Sequence, residues 1–142
     1  MDIFSVLGVV LVVVLVVLIK RKKPSYNTDT KLQEIKEKVS ILDPRVESLN
    51  FFVDDSEAYI LYKTGIFMCL KDKSGHYYDD NFLTYIAIHE IAHAMIPGDT
   101  SEHPPHFDKE FNRLLDKAKA LKIYDPTIPF PNEYCGKKLQ YY

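Results

Sequence analysis

The chain has 142 residues, room for one compact domain and little else. Apolar residues make up 46% and charged residues 27%, which excludes a chain disordered by composition. The formal net charge is −2, but four of the 18 basic residues sit together at Lys20–Lys23 and only Asp2 of the 20 acidic ones precedes them, so the remainder is near −5. That excludes the basic surface with which proteins displace counterions from nucleic acid, and no nucleic-acid partner is expected.

Ile3 to Ile19 is almost all Val, Leu and Ile and carries no charge. As a helix it would span roughly 25 Å, a little short of a bilayer's hydrocarbon core. A cleaved signal peptide needs a basic region before the apolar run. Here Asp2 precedes it and Lys20-Arg21-Lys22-Lys23 follows it. The segment therefore reads as an uncleaved transmembrane anchor over 3–19, within a unit 1–23 that includes its basic flank. Basic flanks stay on the cytoplasmic side, so the expectation is a single-pass membrane protein with its domain on that side.

Residues 24–30 read as a polar linker and 31–142 as the domain. Thr30-Lys31-Leu32-Gln33 has capping-box form, and Leu32, Ile35 and Val39 recur at helical spacing. A first helix over 31–41 follows, ended by Asp43-Pro44. Three short runs rich in aromatic and branched residues come next, at 48–53, 57–63 and 66–70. Their close spacing predicts an antiparallel meander. Asp79-Asp80-Asn81 then offers N-cap chemistry for a helix over 82–96, stopped by Pro97-Gly98. That helix is apolar on nearly all sides, so it belongs in the centre of the domain. A last helix is expected over 105–122, followed by a tail that is extended and packed on the domain. Cys69 and Cys135 are too few for a disulfide scaffold, and both read as free thiols.

The central helix carries His89-Glu90-Ile91-Ala92-His93. Residues four apart lie one above the other on a helix face, so His89 and His93 can chelate one zinc ion. Glu90 lies about 100° around the helix. From there it can take the proton of a water that the metal activates. Polar groups in a central apolar helix are costly unless something pairs them, which favours a metal over two histidines held by core hydrogen bonds. A third ligand must come from elsewhere. His76, His103 and His106 are the remaining histidines, and Asp99, Glu102 and Glu110 are possible carboxylates. The short loop after the helix lets either His103 or His106 fold back.

With His103-Pro104-Pro105-His106-Phe107 following it, the motif resembles the WLM and SprT-like metallopeptidases, whose pattern is H-E-x-x-H, a loop, then H-x-P-x-F opening a helix. The resemblance covers about 80–122. It implies His103 as third ligand, with Pro105 and Phe107 in the proline and aromatic positions. His106 stands where that group often has Glu. The implied fold is α+β: a zincin-like domain with a short antiparallel sheet and an active-site helix, here preceded by one transmembrane helix. An anchored chain with Tyr134-Cys135-Gly136 near its end also resembles small metallopeptidases of large DNA viruses, which implies a host or virion membrane.

The implied function is zinc-dependent hydrolysis of peptide bonds in a protein or peptide substrate. Glu90 is the general base, and Zn2+ is held by His89, His93 and His103. Strand 66–70 is expected at the sheet edge, where a substrate could add as another strand. His106, Tyr124 and Tyr134 are candidate oxyanion donors, and the residues do not choose among them. The alternative is a zinc-binding structural protein of a membrane or virion without turnover. A repair protease for DNA–protein crosslinks fits poorly with the acidic domain.

Overall fold

The computed structural model describes residues 29–98 and 103–139. Its architecture is α+β, with three helices and two small sheets. Helix α1 (Thr30–Ser40) begins one residue earlier than its pattern predicts, because Asp29 rather than Thr30 is the N-cap and its Oδ1 accepts from the Leu32 N–H at 3.1 Å. Leu32, Ile35 and Val39 form its buried stripe, as their spacing requires. A short 3₁₀ turn (Pro44–Ser48) follows, where the sequence announced only a helix stop.

Strands β1 (Asn50–Val53), β2 (Tyr59–Leu61) and β3 (Gly65–Met68) form a mixed sheet in the order β1-β3-β2. The expected antiparallel meander is corrected: β1 runs parallel to β3, and only β2 is antiparallel to it. Residues 54–58 connect β1 to β2, and within them the Asp54 carboxylate accepts from the Ser56 N–H and hydroxyl at 2.8 and 2.6 Å. This polar turn carries the chain across to the far side of β3 instead of folding β2 back on β1. The expected edge position of 66–70 is corrected with it, since β3 is the central strand. Its burial follows from that place, with Ile66 and Met68 fully buried toward the helices. On the other face Phe67 stacks on Phe52 and Tyr59, with centroids at 4.9 and 4.6 Å, a row of aromatic cross-strand pairs.

Helix α2 (Asp80–Met95) is capped by Asp79 and buries eleven consecutive or nearly consecutive positions from Phe82 to His93. It packs against α1, β3, β2 and α3 (Pro105–Ala120), so its all-round apolar character matches a central place. The tail is packed as expected, and it ends in a hairpin, β4 (Glu133–Tyr134) and β5 (Lys137–Lys138). The Tyr134 ring is buried against Phe82 and Tyr78, and its hydroxyl accepts from the Cys69 N–H and donates to the Cys69 carbonyl. That seat brings Cys135 to Cys69, with Cα atoms 6.3 Å apart, and the two form a disulfide. The expectation of two free thiols is thereby overturned; a separation of 66 residues hides the pair from any local reading.

Among the described residues no helix is long and apolar enough to cross a membrane. The expected fold, a domain preceded by a transmembrane helix, is corrected to the three-helix α+β architecture above. The expectation of a single-pass membrane protein with a cytoplasmic domain is corrected on the same finding. The anchor 3–19 and the basic run 20–23, on which it rested, lie outside the described residues.

Candidate metal centre

α2 presents His89, Glu90 and His93 in the middle of the domain, and all three are nearly inaccessible to solvent. His103 comes from the segment that leads into α3. Each of the three histidines offers one nitrogen, and these atoms lie within 4.8 Å of one another, so His89, His93 and His103 form a group that could hold a metal ion. The three rings are nearly equidistant, with centroids 4.9 to 5.1 Å apart.

Phe107 is the platform on which this group is assembled. It is buried in the first turn of α3, where Pro104 and Pro105 set the chain for helix entry and the Phe107 N–H donates to the Pro104 carbonyl at 2.8 Å. The His103 ring stacks on it almost parallel, at 4.3 Å and 8°, and the His93 ring lies against it at 4.3 Å. His89 packs edge-on against both Phe107 and Phe111. The aromatic position four residues after His103 thus orients the imidazoles rather than merely filling the core.

Burial dominates the electrostatics. It pushes His89 down to about 3, and the neighbouring His93 and His103 add to the effect. Burial also lowers His93 to about 4, followed by His103 and Lys63. Both imidazoles are therefore neutral at physiological pH, the form that ligates a cation. Burial, and secondarily the charge of Glu57, raises Glu90 to about 8. A cation nearby works in the opposite sense and favours the carboxylate.

The donor set passes a direct test of fit. The buried Nδ1 of His93 has no hydrogen-bond partner among the described residues, a state that is costly for a polar atom unless a ligand takes it up. Three imidazole nitrogens at mutual ligand distance suit a first-row divalent cation.

The other candidates fall away from this group. His76 sits on a surface turn, with 82% of its side chain exposed, and its N–H donates to Asp72. His106 is exposed on the first turn of α3 and is outside the three-histidine group. Glu110 is committed to Arg113, at 2.6 Å. Asp99 and Glu102 lie outside the described residues. Of the oxyanion candidates, the Tyr134 hydroxyl is taken by the Cys69 backbone, and Tyr124 packs beside Tyr85. Two residues near the centre were not anticipated. Glu57 acts electrostatically on Glu90, and Lys63 donates to the His93 carbonyl at 2.7 Å. No sequence signal marks Glu57; the signal for Lys63 is indirect and lies at Pro97.

The chain is 40% identical over 82 residues to "Uncharacterized protein 136R" of Invertebrate iridescent virus 6, a match covering 56% of this chain and 45% of that protein. It is 38% identical over 104 residues to "Uncharacterized protein 042R" of Invertebrate iridescent virus 3, covering 69% of this chain and 64% of the relative. A protein of Acanthamoeba polyphaga mimivirus is 36% identical over 75 residues, covering 50% and 36%. The chain thus spans between about a third and two thirds of the length of these curated relatives, and their names assign them no activity. No family model matches the chain. No solved structure matches it either.

Proposed function

We propose that the domain is a zinc-dependent metallopeptidase of the WLM and SprT-like kind. The observation that carries this reading is the meeting of three histidine nitrogens within 4.8 Å beside a buried glutamate on the same helix. His89, His93 and His103 would hold the ion. Zinc bound by three histidines supplies a Lewis acid and brings the pKa of a water towards neutrality.

The chain's own residues supply the rest. Glu90 takes a proton from the attacking water and returns it to the departing amine of the cleaved peptide bond. Phe107 and Phe111 pack their rings against one side of the histidine cluster. An extended substrate finds its strand partner on β2, because of the two edge strands β2 packs against the helix that carries the histidines and β1 packs against α1.

The test is zinc content together with cleavage of an unfolded test protein. Glu90→Gln keeps the metal and loses cleavage by about 10²–10⁴-fold, the usual contribution of a general base. Full cleavage by that variant refutes the base assignment. The 3% exposure of Glu90 favours a second reading, a zinc-binding structural protein without turnover. Under that reading wild type and Glu90→Gln bind zinc alike and neither cleaves any peptide.

A further inference from the structure

The last turn of α2 carries a defect that begins in the sequence. A helical carbonyl accepts from the N–H four residues on. For the carbonyl of His93 that residue is Pro97, which has no N–H. The helix ends at Met95, and Ile96 is already extended, with φ −89° and ψ 147°. The carbonyl of a candidate metal ligand is thus among those that need a donor from outside the helix, from a side chain or from water.

Lys63 provides it. Its Nζ donates to the His93 carbonyl at 2.7 Å across a separation of 30 residues. Lys63 belongs to the tight turn between β2 and β3, closed by the Thr64 N–H on the Leu61 carbonyl. Both central residues of that turn are left-handed, Tyr62 with φ 53° and Lys63 with φ 60°. Such turns normally take glycine or asparagine there, because a side chain in this region is strained. Strained backbone persists where the surroundings hold it, and it gathers at functional sites. Here it delivers an ammonium to the negative end of the helix that carries the histidines.

We propose that Lys63 is a positioning residue for the metal centre: it replaces the donor that Pro97 withholds, holds the final turn of α2, and so aims the His93 imidazole at the point shared with His89 and His103. The inference rests on the three-histidine metal reading and extends it to a residue outside the motif. Partners that orient ligands from behind commonly change metal affinity by 10- to 100-fold.

The experiment titrates the full chain with cobalt(II) and reads both the dissociation constant and the visible ligand-field band. Lys63→Met weakens cobalt binding by about tenfold and alters the band, while Lys63→Arg, which keeps a charged donor, stays within about threefold of wild type with an unchanged band. Lys31→Met is the control. It removes an ion pair of 2.8 Å to Asp80 at the opposite end of the same helix, so it lowers Tm and leaves the band and affinity as they are. If Lys63→Met does not fold, Lys63→Gly, which removes the donor and suits the left-handed backbone at this position, is read in its place with the same loss expected. Wild-type affinity and band in Lys63→Met overturn the inference, as does an equal loss in Lys31→Met. A wild-type chain that binds no cobalt overturns the three-histidine reading and the inference with it.

Discussion

His103 and His106 stand three residues apart on the approach to α3, and only one of them meets the helix histidines. The difference is set by Phe107, which lies under the His103 ring and leaves His106 exposed on the first turn. On the proposed function, His103→Ala is expected to weaken zinc binding by about 100-fold or more, since one of three candidate ligands would be lost, and His106→Ala to leave it within about twofold. Metal competition against a chelating dye measures both, and the opposite ranking moves the third ligand to His106. The helix half of the site was legible in the sequence, because the i, i+4 spacing of His89 and His93 is a local property of a helix. The third position was not: the residues alone left His103 and His106 open, and it was the resemblance that favoured His103. Lys63 was invisible for a different reason. Its hydrogen bond answers a vacancy created at Pro97, and nothing near Lys63 in the chain announces that it is needed.

Among the elements, the sheet order and the cysteine pairing departed furthest from expectation. Strand lengths and turn residues locate strands, but they do not order them, and the connection at 54–58 spans a mixed sheet with β3 in the middle instead of closing a meander. The tail is held by three kinds of contact: the Tyr134 hydroxyl on Cys69, the disulfide beside it, and a pair of Lys137 with Glu57 at 2.9 Å. Tyr134 would seat the hairpin even without the covalent bond, so the disulfide adds to a docked element rather than creating it. Closing a loop of 66 residues is worth about 4 kcal/mol by chain entropy. Cys69→Ser is therefore expected to lower the stability by about 2–4 kcal/mol and to remove the dependence of Tm on reductant. Thermal melts with and without dithiothreitol check this. A wild-type Tm that reductant does not move would show that the bond contributes nothing to the folded chain in solution.

At the scale of the whole molecule, one ionic cluster joins the first part of the domain to the last helix. The carboxylate of Asp43, 8% exposed, accepts from the Arg45 guanidinium at 2.8 and 2.9 Å and from Arg113 at 3.0 Å. Glu110 completes it through Arg113. Lys117 adds a neighbouring tie to the Leu42 carbonyl at 2.7 Å. The Arg45 side chain, above all, holds Asp43 well below the usual carboxylate range against the opposing effect of burial, with the Arg45 N–H and Arg113 assisting. A carboxyl depressed on folding stabilises the native state above its unfolded pKa of about 4 and loses that contribution as the pH falls through its folded value. Asp43→Asn is expected to cost about 2 kcal/mol at pH 7, and the gap between variant and wild type to begin narrowing below about pH 4 and to go on narrowing toward the acid end of the range. Denaturant melts across pH 2–7 measure it; a gap independent of pH would mean that packing rather than charge is lost.

By itself the sequence determined where the helices run, which of them is central, and that one of its faces bears two histidines with a glutamate about 100° around from them. Each of these follows from local periodicity, capping chemistry and the cost of placing polar groups among apolar ones. Only the tertiary structure decided the order of the strands, the pairing of Cys69 with Cys135, the arrival of His103 on Phe107 and the reach of Lys63 to His93. These depend on packing between segments distant in the chain. The spacing that makes a helix face readable carries no information about which distant side chain will be folded against it.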